Sequence, residues 1–529
     1  MSRRLPVLLA FAALLPLAGC GDSSTTSSGP GADPAKVVPA DAPVYAEVVV
    51  RPDGDVRSGA EDALKKLLQT DDPGKKIVDL VDKKLAKDGL KWDDIKAWLD
   101  KRIGIFVTGA QGGSSPQYAL VFAVTDGKKA LEDITKHPTG KVSSSDYKGV
   151  AIKSDSSSAA AQFGDYAVAG KDAAVKAAID TFKGGRPLTD VADYDAARTA
   201  VKSDDALATA YLDPQGLVDL ISSATPPATD SATPNPFSNP QTLTILRQLF
   251  AKVGRAAGVS LHATGDAIRL DGAGLGATGT GSTAAADNVA ALPSDAWLAL
   301  GFGDLGKTIT NALSQISQLS SLAGSGTTLN FNGMLQGFEQ KTGINLKRDF
   351  LSWMGDGAIY ARGHSLADIG VVATIRSKNP AKSRRAVGLL AQAIRRAGGA
   401  AQKATVPGYD TAVQIRISQS LPISLYVAAN GDRFSLGINP QALTDVLQPA
   451  QTFGDSPAYA AATKSLGGDL KPVFVLDFPT ILNLIEGLGV GNQPSFAKVK
   501  PYLDALGTLS AGSAHDGDVA RLALALGLR

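Results

Sequence analysis

"WDDIKAWLDKRIGIFVTG", residues 92–109, is answered later in the chain by "LKRDFLSWMGDGAIYARG", residues 346–363. Trp98 and Trp353 stand 255 positions apart, and each precedes an apolar run that ends at a glycine. The echo continues on both sides. "VVPADAPVYAEVVV" from Val37 matches "NVAALPSDAWLALGF" from Asn288, with Asp41 and Asp295 set 254 positions apart. "YKGVAIKS" from Tyr147 meets "GYDTAVQIRIS" from Gly408, and "FGDYAVAGKDAAVKAAIDTF" from Phe163 meets "NGDRFSLGINPQALTDVL" from Asn430. "DYDAARTAV" meets "AYAAATKSL", "TAYLDPQGLVDLI" meets "VFVLDFPTILNLI", and "HATGDAIRLDGAGLG" meets "AHDGDVARLALALG". Matches in one order with drifting offsets read as two homologous halves, residues 37–285 and 286–529.

Within each half the apolar period switches between two and 3.6. "VYAEVVV" and "ALVFAVT" are β-branched runs that read as strands, whereas "KKALEDITKH" and "DAAVKAAIDTF" carry helical spacing. "FGDYAVAG" and "NGDRFSLG" read as strands entered through Gly-Asp turns, and "AIRLDGAGLG" as a hairpin partner. Many hairpin turns with short helices between strands indicate an α+β fold with largely antiparallel sheet in each half, not a doubly wound parallel sheet. The Lys-rich stretch from Lys65 to Lys91 alternates lysine with aspartate. Ile77, Leu80, Val81 and Leu85 repeat at helical spacing, so it reads as an amphipathic helix with a solvated face. "SSATPPATDSATPNPFSNP" from Ser222 reads as a long loop that is either functional or disordered, disorder being the preferred reading, and it faces the shorter "EGLGVGNQPS" from Glu486.

Charge excludes one class of partner. Lys and Arg number 53 against 51 Asp and Glu, a formal net charge of +2, with the signs interspersed. That balance argues against a nucleic-acid or polyanion binder. Hydrophobic residues make up 44% of the 529, enough to bury a substantial core without disulfides.

Few motifs suggest chemistry. "GHSLA", Gly363 to Ala367, approaches the G-x-S-x-G nucleophile elbow, but that elbow needs a strand before the serine and a helix after it. Here both flanks of Ser365 are strand-like. "GLGATG", Gly274 to Gly279, fits G-x-G-x-x-G, yet the following "TGSTAAADNVAALP" carries no clear amphipathic helix to cap a phosphate, so it reads as a connector between halves. His137, His262, His364 and His515 form no metal-ligand spacing. His262 and His515 precede Gly-Asp turns and read as turn residues. Asp165, Asp432, Asp213 and Asp477 read as turn and cap residues. No catalytic, cofactor-binding or metal-binding residue is assigned.

The address is clearer. Arg3 and Arg4 lead an apolar run, Leu5 to Leu15, that is too short to span a bilayer, which needs roughly 20 residues. "LLPLAGC", residues 14–20, closes on the only cysteine of the chain. Leu17-Ala18-Gly19-Cys20 resembles a bacterial lipobox, which implies that residues 1–19 are a cleaved signal and that Cys20 carries a covalent diacylglyceryl anchor. Two or more long acyl chains hold a protein on a membrane where one does not. Residues 20–36, rich in Ser, Thr, Gly and Pro, read as a flexible tether with a reach of about 20 to 25 Å.

With lipobox, tether, "VPADAPVYAEV" and the Trp-Leu-x-x-x-x-Gly-x-Phe segment "WLDKRIGIFV", the chain resembles a bacterial lipoprotein family known by its domain of unknown function 3352. The resemblance implies export, membrane anchoring and no assigned activity; it supplies no catalytic residues. The expected function is non-enzymatic: an extracytoplasmic lipoprotein, partnered by the membrane through its anchor, that binds or scaffolds an envelope protein or lipid, with a site at the junction of the halves. The alternatives are a lipid-cargo carrier with an apolar cavity lined by alternate strand residues, and an extracytoplasmic hydrolase with a converging nucleophile, base and oxyanion donors.

Overall fold

The computed structural model describes residues 31–86, 91–109, 116–136, 138–223, 240–278, 283–320, 331–365, 368–416 and 424–529. Its strands are β1 Val44–Val49, β2 Leu99–Thr108, β3 Gln117–Val124, β4 Ser143–Tyr147, β5 Val150–Ser154, β6 Ala159–Phe163, β7 Tyr166–Gly170, β8 Ala208–Leu212, β9 Ala256–Thr264, β10 Ala267–Leu275, β11 Ala296–Phe302, β12 Met354–Arg362, β13 Gly370–Ser377, β14 Ala400–Ala404, β15 Thr411–Arg416, β16 Ser424–Ala429, β17 Arg433–Ile438, β18 Pro472–Asp477, β19 Leu506–Asp516 and β20 Val519–Leu528. Helices of 5 to 17 residues lie between them, from Trp92–Lys96 to Pro380–Arg396. The fold is therefore mixed α and β with antiparallel pairing. Two units divide the chain, one running to Gly279 and including His515–Arg521, the other Thr280–Ala514 with Leu522–Arg529.

In the first unit the spatial order is β4-β5-β6-β7-β3-β2-β1-β8-β9-β10, antiparallel throughout. In the second it is β14-β15-β16-β17-β13-β12-β11-β18-β19, with β20 beside β19. Each central strand, β1 or β11, is hydrogen-bonded to the strand that follows it and to one that returns much later. Isolated bridges, Pro39 with Pro187 and Pro293 with Thr452, close the approach to each.

The sheet of the first unit has a core on each face. Tyr45, Phe106, Val121, Val168, Ile179 and Tyr194 pack together on one; Leu64, Ile77, Val81, Trp98, Leu120 and Phe122 on the other. The second unit repeats this with Ala299, Tyr360, Val372 and Phe453 on one side, and Trp353, Ile375, Ala386, Val387 and Phe434 on the opposite one. Trp98 meets Phe122 edge-on at 5.8 Å, and its indole N–H donates to Asp133 at 3.1 Å. Trp353 lies 5.1 Å from Phe434, and its N–H donates to the Asp349 carbonyl at 2.6 Å. Trp98 and Trp353 thus satisfy their indole N–H groups with different partners.

The tether read over 20–36 does not extend to its last residues: Pro34–Val37 is a short helical turn that buries Pro34, Ala35 and Val37. Three further readings are corrected. Lys65–Lys91 is not one helix: Gly54–Leu68 ends at Gln69 in a left-handed conformation, and Pro73–Leu85 restarts behind Asp72, whose carboxylate accepts the Lys75 N–H at 2.9 Å. Ile77, Val81 and Leu85 are buried, but Leu80 is 49% exposed because it lies on the flank of the stripe. Second, "TGSTAAADNVAALP" does hold a helix, Thr283–Ala290, which buries Ala285, Ala286 and Val289. Alanine hides the amphipathic period but lets the helix lie close: a Cβ on Gly301 of β11 would fall 1.9 Å from the Ala285 carbonyl oxygen. Third, His262 is no turn residue. It is buried within β9.

Candidate functional site

Alternation along β1 turns Tyr45 and Glu47 to one face, where both are buried, Glu47 at 4% exposure. A lone carboxylate there would be costly, so its lone pairs are occupied. The Tyr45 hydroxyl donates to Oε2 at 2.7 Å, and Arg102 of β2 donates from Nη1 to Oε1 at 3.0 Å. Glu47 stands opposite Gly104 in the β1–β2 register. A Cβ at Gly104 would fall 2.9 Å from the Tyr45 ring, so the glycine makes room for the phenol that reaches Glu47. Burial pushes the Glu47 carboxyl above its ordinary range against the opposing pull of Arg102. Burial and the Glu47 charge hold the Tyr45 phenol well above its own.

The helix Ala192–Ala200 covers this group. Tyr194 meets Tyr45 edge-on at 6.0 Å and Tyr211 of β8 at 5.3 Å. Arg198, one turn further along, donates from Nη1 to the Tyr194 hydroxyl at 3.1 Å and from Nε to Ser203 Oγ at 3.0 Å. Burial works against its charge, but Tyr194, Glu47 and Asp33 outweigh that and hold the guanidinium above its ordinary range. Outside Arg198 opens a cleft of about 560 Å³, whose lining includes Asp33, Tyr194, Asp195, Lys202, Asp204 and Asp205. Carboxylates outnumber cations there, so the cleft suits a polar ligand carrying donor or cationic groups. Its polar lining is unlike the apolar cavity of a lipid carrier.

The residues that looked chemical in the sequence do other work. Ser365 lies in the connection between β12 and β13, and its hydroxyl donates to Asp368 at 2.6 Å. The same carboxylate accepts the backbone N–H groups of His364 and Ser365, and these bonds hold it down at about 2. That is a turn closed by an acid, with a strand on each side. Gly274 lies within β10, one residue before its end, and allows the close approach of Val253, whose carbonyl would lie 2.5 Å from a Cβ there. His262 Nε2 lies 2.8 Å from Ser260 Oγ, 3.3 Å from the Val201 carbonyl and 3.3 Å from Asp271. A nucleophile–base–acid relay needs both ring nitrogens, and here one nitrogen meets all three oxygens. Asp213 caps the Gly216 N–H at 3.0 Å, and Asp477 accepts the Thr480 hydroxyl at 2.6 Å, as the cap reading anticipates.

Cys20, the predicted lipidation site, and His137 lie outside the described residues. No group of three or more potential metal ligands occurs among the described residues. Glu47, Arg102 and Arg198 escape sequence reading. The available signal was a glutamate inside a β-branched run, two positions from a tyrosine.

Among known proteins, the family described as "Protein of unknown function (DUF3352)" matches residues 5–528. No curated protein matches. Solved structures of TP0453 are similar at low level: crystal form IV at 11% identity and TM-score 0.24, covering 46% of this chain and 81% of that one. Crystal form III gives 10% identity and TM-score 0.25, covering 48% and 84%.

Proposed function

The chain belongs to the DUF3352 family of proteins of unknown function, and from that premise we propose that it is a membrane-anchored extracytoplasmic lipoprotein, held through Cys20, that binds a polar envelope ligand without transforming it. The cleft over Tyr194 and Arg198 is the observation that carries the binding reading: it sets fixed donors and acceptors around open space. The lipobox-like "LAGC" supports the anchor. No helix among the described residues is long and apolar enough to cross a membrane, and an acyl anchor needs none.

Two measurements test it. Membrane fractionation and intact-mass spectrometry of wild type and Cys20→Ala are expected to show an acyl mass and membrane retention in the first and neither in the second. Unchanged anchoring of Cys20→Ala overturns the lipoprotein reading. Mild-detergent purification followed by native mass spectrometry is expected to show a bound polar molecule that Arg198→Ala loses. An empty wild-type protein defeats the binding reading and leaves scaffolding.

A further inference from the structure

Between Asp368 and Asp410 the sequence carries eight Lys or Arg residues and no Asp or Glu, in a chain whose net charge is only +2. Five of the eight fall on the helix Pro380–Arg396: Lys382, Arg384, Arg385, Arg395 and Arg396. The buried side of this helix is Ser383, Ala386, Val387 and Ala391, packed on Ile375, Val413, Val427 and Phe434. All five charges are exposed, as 3.6-residue periodicity places them opposite that apolar stripe.

Local energetics ask for only part of this pattern: Arg395 and Arg396 suit the negative end of the helix dipole. The first turn of a helix favours acids, yet this one has none and holds Lys382, with Arg384 and Arg385 just beyond. Nor are most of these charges paired with carboxylates: among the described residues, Arg384 alone of the five has an ion pair, with Asp410 at 2.9 Å. Lys382 donates to Ser352 Oγ, Arg395 to the Ala401 carbonyl and Arg396 to the Thr342 carbonyl, all uncharged acceptors. The last contact brings in the end of the helix Phe331–Thr342, which adds exposed Lys341. Asp349, the acid near Arg385, is bound by Arg348 at 2.8 Å.

We propose that this face of the second unit docks electrostatically on anionic lipid headgroups. Charge complementarity carries the choice of partner: the apolar side of the helix is spent on the core, so contact is made by cations alone, and these are spread along a helix instead of converging on one ligand. Basic clusters of this size bind acidic bilayer surfaces, and the interaction fades within a Debye length. The proposal rests on the anchored reading only in that an acyl chain would keep the face near a bilayer.

The test removes the anchor. The chain from residue 21, which retains every described element, is sedimented with vesicles of phosphatidylcholine alone or with 30% phosphatidylglycerol. Binding to the acidic vesicles only, abolished in 0.5 M NaCl, is expected. At roughly 1 kcal/mol per cation, the triple variant Arg385→Glu/Arg395→Glu/Arg396→Glu weakens it by about a hundredfold or more. Lys83→Glu/Lys84→Glu, on the mixed-charge helix of the first unit, leaves it unchanged. Thermal melting of each variant separates lost binding from lost folding. Absence of binding to acidic vesicles at low salt, equal binding by the triple variant, or capture of a DNA duplex in place of vesicles overturns the proposal. None of these outcomes bears on acylation of Cys20, which the mass measurement decides separately.

Discussion

β1 and β11 are each flanked by an early and a late antiparallel partner, yet they bury different chemistry. In the alignment that pairs Asp41 with Asp295, Glu47 falls on Gly301. The first is a carboxylate held by Tyr45 and Arg102 under a tyrosine-bearing helix; the second has no side chain and is covered by the backbone of Thr283–Ala290. The contrast recurs outside. After β3 comes Gly127–Ile134, a short helix whose lysines share it with Glu132 and Asp133; after β13 comes the 17-residue, acid-free Pro380–Arg396. Strand order is thus maintained while charge moves. The first unit carries it inside, beside a cleft, and the second carries it on a helix face.

The largest expected effect breaks the comparison at its polar end. Arg102→Met leaves Glu47 buried and unpaired and costs about 3 kcal/mol, measured by chemical denaturation. Adding Glu47→Leu to that variant recovers most of the loss; if it does not, the group is held by more than charge. Next, Gly301→Ala pushes a methyl into the Ala285 carbonyl and destabilises the second unit by about 1–3 kcal/mol, visible as faster amide exchange in Thr283–Ala290. An unaltered exchange rate would show that this helix yields freely.

The smallest effect is a pair of opposite pH slopes within the first unit. Glu47 has a raised folded pKa, so its contribution is full below the unfolded carboxylate value and is lost as pH rises through the folded one. Asp155 behaves in reverse. Against the effect of burial, the backbone N–H groups of Thr139, Ser157 and Ser158 hold its carboxyl down at about 2, so its contribution is present above the unfolded value, about 4, and lost as pH falls through 2. Glu47→Gln should remove the first slope and Asp155→Asn the second, as read from melting temperature against pH.

Sequence reading succeeded where period and turn chemistry agree. "ALVFAVT" is β3, "DAAVKAAIDTF" is the helix Asp172–Phe182, and both Gly-Asp turns lead into strands, β7 and β17. It failed where one residue type is ambiguous. In "VYAEVVV" the neighbours on both faces are apolar, so nothing marks Glu47 as the inward position. Alanines in Thr283–Ala290 erase the contrast on which a helical period depends. The cleft draws on Asp33, Tyr194 and Asp205, which only the return of β8 to β1 brings together. The lipobox-like Leu17-Ala18-Gly19-Cys20 is read from sequence alone, and it lies outside the described residues.

The outermost strands β4 and β14 pair on one side only, with β5 and β15, among the described residues. Their free edges carry Ser143, Ser144, Ser145 and Asp146 in one, and Gln402 with Lys403 in the other, all exposed. Hydrated and charged edges make poor templates for another strand. Two copies that meet edge to edge therefore gain little by extending one sheet into the other, which works against growth into a fibre.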